Sequence, residues 1–170
     1  MKIAVTGGTG YVGAHTALAL LADGHTVRLL VLPTETPDAL LAAAGAEAAR
    51  IEPVVGDIRD AETVARLLDG CDALLHAAGV VGTDDRREQL MWEINTQATA
   101  AILTRAAFLG LDPIVHVASF SARLTHLSPG LGYEAAWLLT SATPTDDSRT
   151  RDELGLTWRP ARAALAATFA

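Results

Sequence analysis

The stretch that decides the fold is Lys2-Ile3-Ala4-Val5-Thr6-Gly7-Gly8-Thr9-Gly10-Tyr11-Val12-Gly13. Lys2 to Val5 read as a short strand that runs straight into the glycines at 7, 8, 10 and 13. An apolar helical pattern then opens through Val12, Ala14, Ala17, Leu18, Leu20 and Leu21. A strand, a tight glycine turn and a helix start, in that order, make an anion site. Small residues let the backbone come close, and the first helix N–H groups have no acceptor within the helix.

Outward from this turn, strands and helices alternate. Asp23-Gly24-His25 ends the first helix, and Thr26 to Leu32 is a second strand that Pro33 stops. Thr36-Pro37-Asp38 starts a helix over Ala39–Ala44, and Ile51 to Val55 is a third strand. Gly56-Asp57-Ile58-Arg59-Asp60 turns into a helix through Leu68, and Asp72 to His76 is a fourth strand ending at Ala77-Ala78-Gly79. Arg86 to Leu109 carries one long helical pattern, and Pro113 to Ala118 is a fifth strand. This rhythm predicts an α/β fold, a Rossmann-like doubly wound parallel sheet of order 3-2-1-4-5 with its crevice at the carboxyl ends of strands 1 and 4. His76 and His116 lie in apolar strands and read as packed histidines rather than acid–base groups.

From Ser121 the alternation stops. Two helical turns over Tyr133–Thr140, a short helix from Thr145 that Gly155 ends, and a last helix over Pro160–Phe169 form a helical tail with no sixth strand. Residues 1–122 are the expected nucleotide-binding domain, and 123–170 a remnant segment packed on it. Without a sixth strand, strand 5 becomes a sheet edge flanked by Ile114, Val115 and Val117, which invites pairing with a second copy.

Half of the residues are apolar and 19% are charged, the balance of a globular domain. The formal charge is −7 and the cations form no stripe, which argues against nucleic acid as a partner. Cys71 stands alone, with neither a disulfide partner nor metal spacing around it, so no metal is expected. No uncharged apolar run reaches about 18 residues and no leader pattern precedes the first strand, so a soluble, cytoplasmic chain is expected and no membrane.

The glycine run fits two spacings. Gly8, Gly10 and Gly13 fit Gly-x-Gly-x-x-Gly, the general dinucleotide fingerprint. Thr6, Gly7, Gly10 and Gly13 fit Thr-Gly-x-x-Gly-x-x-Gly, which resembles the extended short-chain dehydrogenase/reductase family, the epimerase and dehydratase group. Four further features arrive in the same order as in that family. Gly56-Asp57-Ile58-Arg59-Asp60 resembles its Asp turn at the adenine, and His76-Ala77-Ala78-Gly79 its fourth-strand turn beneath the cofactor. Asn95-Thr96 stands where its helix carries a structural Asn, and Val115 to Ser119 resembles the end of its fifth strand, where a hydroxyl assists catalysis.

The resemblance implies NAD or NADP as cofactor. It implies pyrophosphate on Gly7, Gly10, Tyr11, Val12 and Gly13, adenine against Asp57 and Ile58, and ribose and nicotinamide over Ala77, Ala78 and Gly79. Leu32 stands where the second strand meets the adenosine ribose, a position that often holds a discriminating Arg or Asp. Glu35 is close by, and the choice between NAD and NADP stays open.

Ser119 is the candidate catalytic hydroxyl, but its partners are missing. The family's proton transfer uses a Tyr with a Lys four residues on, whose charge lowers the phenol pKa. Tyr133 is followed at that spacing by Trp137, Tyr11 lies in the glycine turn, and the single lysine, Lys2, opens the first strand. Pro144 to Pro160, with Leu154-Gly155 and Arg159-Pro160, resembles the family's far C-terminal end. The chain thus reads as the first five strands joined near Ser121–Leu131 to that ending, with a truncated substrate lobe. Three readings follow: a cofactor-binding oxidoreductase relative with impaired catalysis; a non-catalytic module that senses the dinucleotide or holds a partner; and an active reductase or epimerase using Ser119 with another proton donor.

Overall fold

A computed structural model describes residues 1–81 and 87–118, together with the single positions 148, 152, 153, 155 and 157. The chain packs as two units, Met1–Gly132 and Tyr133–Ala170. In the first, β1 (Lys2–Thr6) leads into α1 (Tyr11–Ala22), β2 (Thr26–Val31), α2 (Asp38–Ala44), a 3₁₀ turn (Gly45–Arg50) and β3 (Ile51–Val55). α3 (Ala61–Leu68), β4 (Ala73–His76), α4 (Glu88–Trp92), a π-helical segment (Glu93–Ala98), α5 (Thr99–Phe108) and β5 (Ile114–His116) complete it. All described strand pairs are parallel, in the order β3-β2-β1-β4-β5, the arrangement expected from the alternation of elements.

Strand alternation divides the core in two. Ile3, Val5, Val27, Leu29, Val31 and Leu75 face α1 and α2, where Ala17, Leu21 and Leu40 meet them. Ala4, Leu30 and Leu74 face the opposite layer of Val64, Leu67 and Leu68 from α3 and Ile102 and Ala106 from α5. With both faces covered, the central strands are apolar nearly throughout, which is why they read as continuous runs.

Helix starts differ in chemistry. Asp60 caps α3, its carboxylate accepting from the backbone N–H groups of Glu62 and Thr63 and from the Thr63 hydroxyl. α1 begins at Gly10 without a side-chain cap and with no acid in its first turn. The long helix expected over Arg86–Leu109 is interrupted in its described part by the π-helical segment. There the Thr99 hydroxyl donates back to the Ile94 carbonyl at 3.0 Å, five residues away.

Among the described residues β5 pairs with β4 alone and is the sheet edge, with Val115 48% and Val117 40% exposed. His116 is exposed with it, contrary to the packed histidine expected there, since among the described residues its strand has a neighbour on one side only. The tail helices fall largely outside the described residues. Within Thr145–Gly155, Ser148, Asp152 and Glu153 are helical and Gly155 has φ +62°, a turn conformation suited to glycine.

Leu67 is fully buried between α3 and the sheet, whereas Phe108 is 79% exposed. Leu67→Ala should cost about 2–5 kcal/mol of unfolding free energy, while Phe108→Ala should stay within about 0.5 kcal/mol, both read by chemical denaturation.

Candidate dinucleotide site

Thr6 and His76 are register partners at the carboxyl ends of β1 and β4, so the turns that follow, Gly7–Gly10 and Ala77–Val80, leave the sheet side by side. The chain runs from β1 towards β2 and β3 on one side and from β4 towards β5 on the other, so the turns flank the topological switch point. They touch without side chains between them. A Cβ on Gly7, which has φ +71°, would lie 2.5 Å from the carbonyl carbon of Ala77 and from the nitrogen of Ala78. Gly13 is needed for another reason: a Cβ there would overlap the Gly7 carbonyl, and its absence lets α1 start tight against the turn. Gly10 donates its N–H to Gly7 O at 3.0 Å, which closes the turn.

The result is a helix start whose positive end no described side chain cap or first-turn acid offsets, opening on a turn built of glycine. Tyr11 and Val12, 58% and 50% exposed, stand at its mouth, and Ala77, Ala78 and Gly79 lie beside it. This donor set fits a pyrophosphate.

The Asp turn after β3 carries a different arrangement. Asp57 accepts from the Arg59 backbone N–H at 2.8 Å and pairs with its guanidinium at 2.7 Å, while Arg59 also reaches Glu93 at 2.9 Å. The Arg59 side chain holds the Asp57 carboxyl below the usual range, and Glu93 is lowered by Gln89 and then by Arg59. Ile58 is 5% exposed and packs in the second core, while Asp57 beside it is partly exposed. Leu32, 37% exposed, lies just past the end of β2. Nearby, the Thr9 hydroxyl of the glycine turn donates to the Glu35 carboxylate at 2.8 Å.

The β4 turn is fastened at both ends. Asn95 accepts from Val80 N and donates to Val80 O, each at 2.8 Å, the structural use its position suggested. At the other end Ala78 N donates to Thr6 Oγ1 at 3.2 Å, and Thr6 Oγ1 lies 2.7 Å from Nδ1 of the fully buried His76. His76 Nε2 meets Thr99 Oγ1 at 2.8 Å, and the His116 ring stacks on it at 4.9 Å. Burial first, and the neighbouring His116 second, push the His76 pKa down to about 4.

Of the residues singled out in the sequence, the structure brings the glycine turn and Ala77-Ala78-Gly79 together, and Asn95 fastens the latter through Val80. Sequence reasoning missed Thr6, Thr99, Arg59 and Glu93 as holders of the site. Their partners lie 23 to 70 residues away or across a turn, where spacing carries no signal. Ser119 lies outside the described residues. Lys2 is at the far end of β1, paired with Glu52 at 2.9 Å. Among the described residues no group of three or more His, Cys, Asp or Glu could hold a metal, and no helix is long and apolar enough to cross a membrane.

Because His76 is neutral when folded and titrates near its ordinary 6.5 when unfolded, the unfolded chain binds the extra proton between those values. Its stabilising contribution should therefore be complete above pH 6.5 and decline as pH falls towards about 4. Denaturant titrations across this range should show that decline, and a His76→Gln variant, which cannot titrate, should lack it.

The model of the NAD dependent epimerase/dehydratase family matches residues 3–126. The chain is 30% identical over 152 residues to sterol demethylase protein B of Methylococcus capsulatus, covering 89% of this chain and 44% of that protein. A crystal structure of dTDP-glucose 4,6-dehydratase from Streptomyces venezuelae, with NAD bound, superposes with TM-score 0.58 at 36% identity, over 68% of this chain and 38% of the other. A short-chain dehydrogenase/reductase superfamily protein from Agrobacterium tumefaciens with bound NAD gives TM-score 0.58 at 26% identity, over 70% and 33%. The chain therefore spans less than half the length of these relatives. With the family model, the strand order and the two facing turns in agreement, this chain belongs to the NAD dependent epimerase/dehydratase family.

Proposed function

We propose that this chain is a nicotinamide-dinucleotide-binding unit, an oxidoreductase by kinship whose own catalytic equipment is impaired. The observation that carries this reading is the glycine turn at the start of α1, packed directly against the Ala77–Ala78 peptide. On this reading Gly7, Gly10, Tyr11, Val12 and Gly13 take the pyrophosphate through the backbone, where a side chain would intrude. Asp57 and Ile58 hold the adenine, Leu32 lies beside its ribose, and Ala77, Ala78 and Gly79 carry the second ribose and the nicotinamide. Residues 1–122 would do the binding, with 123–170 as the shortened remainder.

A bound nicotinamide supplies a hydride donor or acceptor. What the residues of this chain supply is binding and orientation, because no Tyr-x-x-x-Lys pair occurs in the sequence to move the accompanying proton. Arg differs from Lys in shape and donor geometry and does not replace it. The Glu35 carboxylate, held by Thr9 at the rim of the turn, supports NAD over NADP, since a 2′-phosphate would bring like charge against it. The β5 edge, paired with β4 alone among the described residues, supports self-association as part of the same proposal, and sedimentation should show it as a concentration-dependent mass at micromolar protein.

Melting temperature measured against NADH and NADPH tests the binding itself. Ligand at about 100 times its Kd stabilises the folded state by about 2.7 kcal/mol, so NADH should raise the transition clearly and NADPH less. Gly10→Asp should abolish the rise by placing a carboxylate where the pyrophosphate sits. No rise with either cofactor at millimolar concentration overturns the proposal.

A further inference from the structure

The buried line through Thr6, His76 and Thr99 takes its hydrogen-bond direction from the backbone carbonyl at its Thr99 end. The Ala78 N–H can only donate, and the Ile94 carbonyl can only accept. The Thr99 hydroxyl spends its single proton on Ile94 O at 3.0 Å, so at 2.8 Å from His76 Nε2 it accepts. His76 therefore carries its proton on Nε2, and Nδ1 accepts from the Thr6 hydroxyl at 2.7 Å. Thr6 Oγ1 is then left to accept from Ala78 N at 3.2 Å. Every member is satisfied, and among the described residues no buried side-chain nitrogen or oxygen lacks a partner.

This line joins three places that sequence keeps far apart: the end of β1, the turn after β4 and the π-helical segment. It enters the β4 turn at Ala78, one of the two residues whose peptide touches Gly7. A second imidazole proton would make Nδ1 a donor to Thr6 and leave the Thr6 hydroxyl proton without its imidazole acceptor. Burial keeps that proton off, and the one titratable ring stacked on His76 is that of His116, which adds to the same effect.

We propose that His76, as the neutral Nε2–H imidazole between Thr6 and Thr99, is a positioning residue for the dinucleotide: it sets the β4 turn against the glycine turn without touching the ligand. The inference rests on the binding reading above. The ligand half that crosses the β4 turn should depend on the line, and the half held by the glycine and Asp turns should depend on it much less.

The test compares binding of NADH and of ADP, which lacks the nicotinamide half, by calorimetry on the full chain. Thr99→Val keeps the shape but removes the hydroxyl, and Thr99→Ser restores it. The valine variant should weaken NADH by about tenfold, the effect expected from a line that loses one or two net hydrogen bonds, and change ADP by less than about threefold. The serine variant should bind NADH as the unaltered chain does. Nitrogen-15 NMR of the unaltered chain gives an independent reading. The His76 ring should show the Nε2–H tautomer from pH 5.5 to 8, and its shifts should move with NADH more than with ADP. Equal NADH affinity in the valine variant, equal loss of NADH and ADP, or an Nδ1–H tautomer overturns the inference while the binding reading stands. Failure of the unaltered chain to bind NADH overturns both.

Discussion

The contact on which the rest of the site depends is the approach of the Gly7 backbone to the Ala77–Ala78 peptide. It is a contact that only glycine allows, since both the space and the φ of +71° exclude a Cβ. β-strand neighbours in a sheet are spaced by their ladder, but the ladder between β1 and β4 ends at Thr6 and His76. Beyond that point one backbone bond, from Ala77 N to Thr6 O at 3.1 Å, continues the ladder into the β4 turn. Gly7 allows the two turns to close, and the Thr6 hydroxyl, bonded to Ala78 N on one side and His76 on the other, keeps them closed. Two loops thereby become one continuous backbone surface at the mouth of α1.

The π-helical segment Glu93–Ala98 plays a corresponding part from the other layer. Glu93 reaches Arg59, which holds Asp57 in the turn after β3. The Ile94 carbonyl ends the line from His76, and Asn95 grips Val80. Three consecutive residues thus reach the surroundings of the β3 and β4 ends. The exposed ion pairs in this set are weak individually. The buried hydroxyl–imidazole line is the stiffer link, because a broken member would leave an unsatisfied polar group with no water to replace it.

Much of this was legible in the sequence. The order of the strands followed from the alternation of apolar runs with helical patterns, and the site's location from the glycines of residues 7–13 together with Ala77-Ala78-Gly79. Asn95 was placed correctly in a structural part. What could not be read was which polar side chains join distant segments. Thr6 enters the glycine motif only by its spacing and Thr99 looks like an ordinary helix residue, and their pairing through His76 exists only once β1, β4 and α5 are assembled. The π-helical segment in the long helix was equally invisible, because neither proline nor glycine marks it. Ile58 shows the converse limit. It sits in the right turn, yet its side chain serves the core.

The central claim is that the turns after β1 and β4 form a single dinucleotide-binding surface. Backbone hydrogen exchange with and without saturating NADH addresses it most directly, because the proposed contacts are largely to backbone N–H groups. The account predicts slowed exchange in both residues 6–13 and residues 77–80, with little change in the outer face of α5. Protection at only one of the turns, or at neither while NADH is bound, would contradict it.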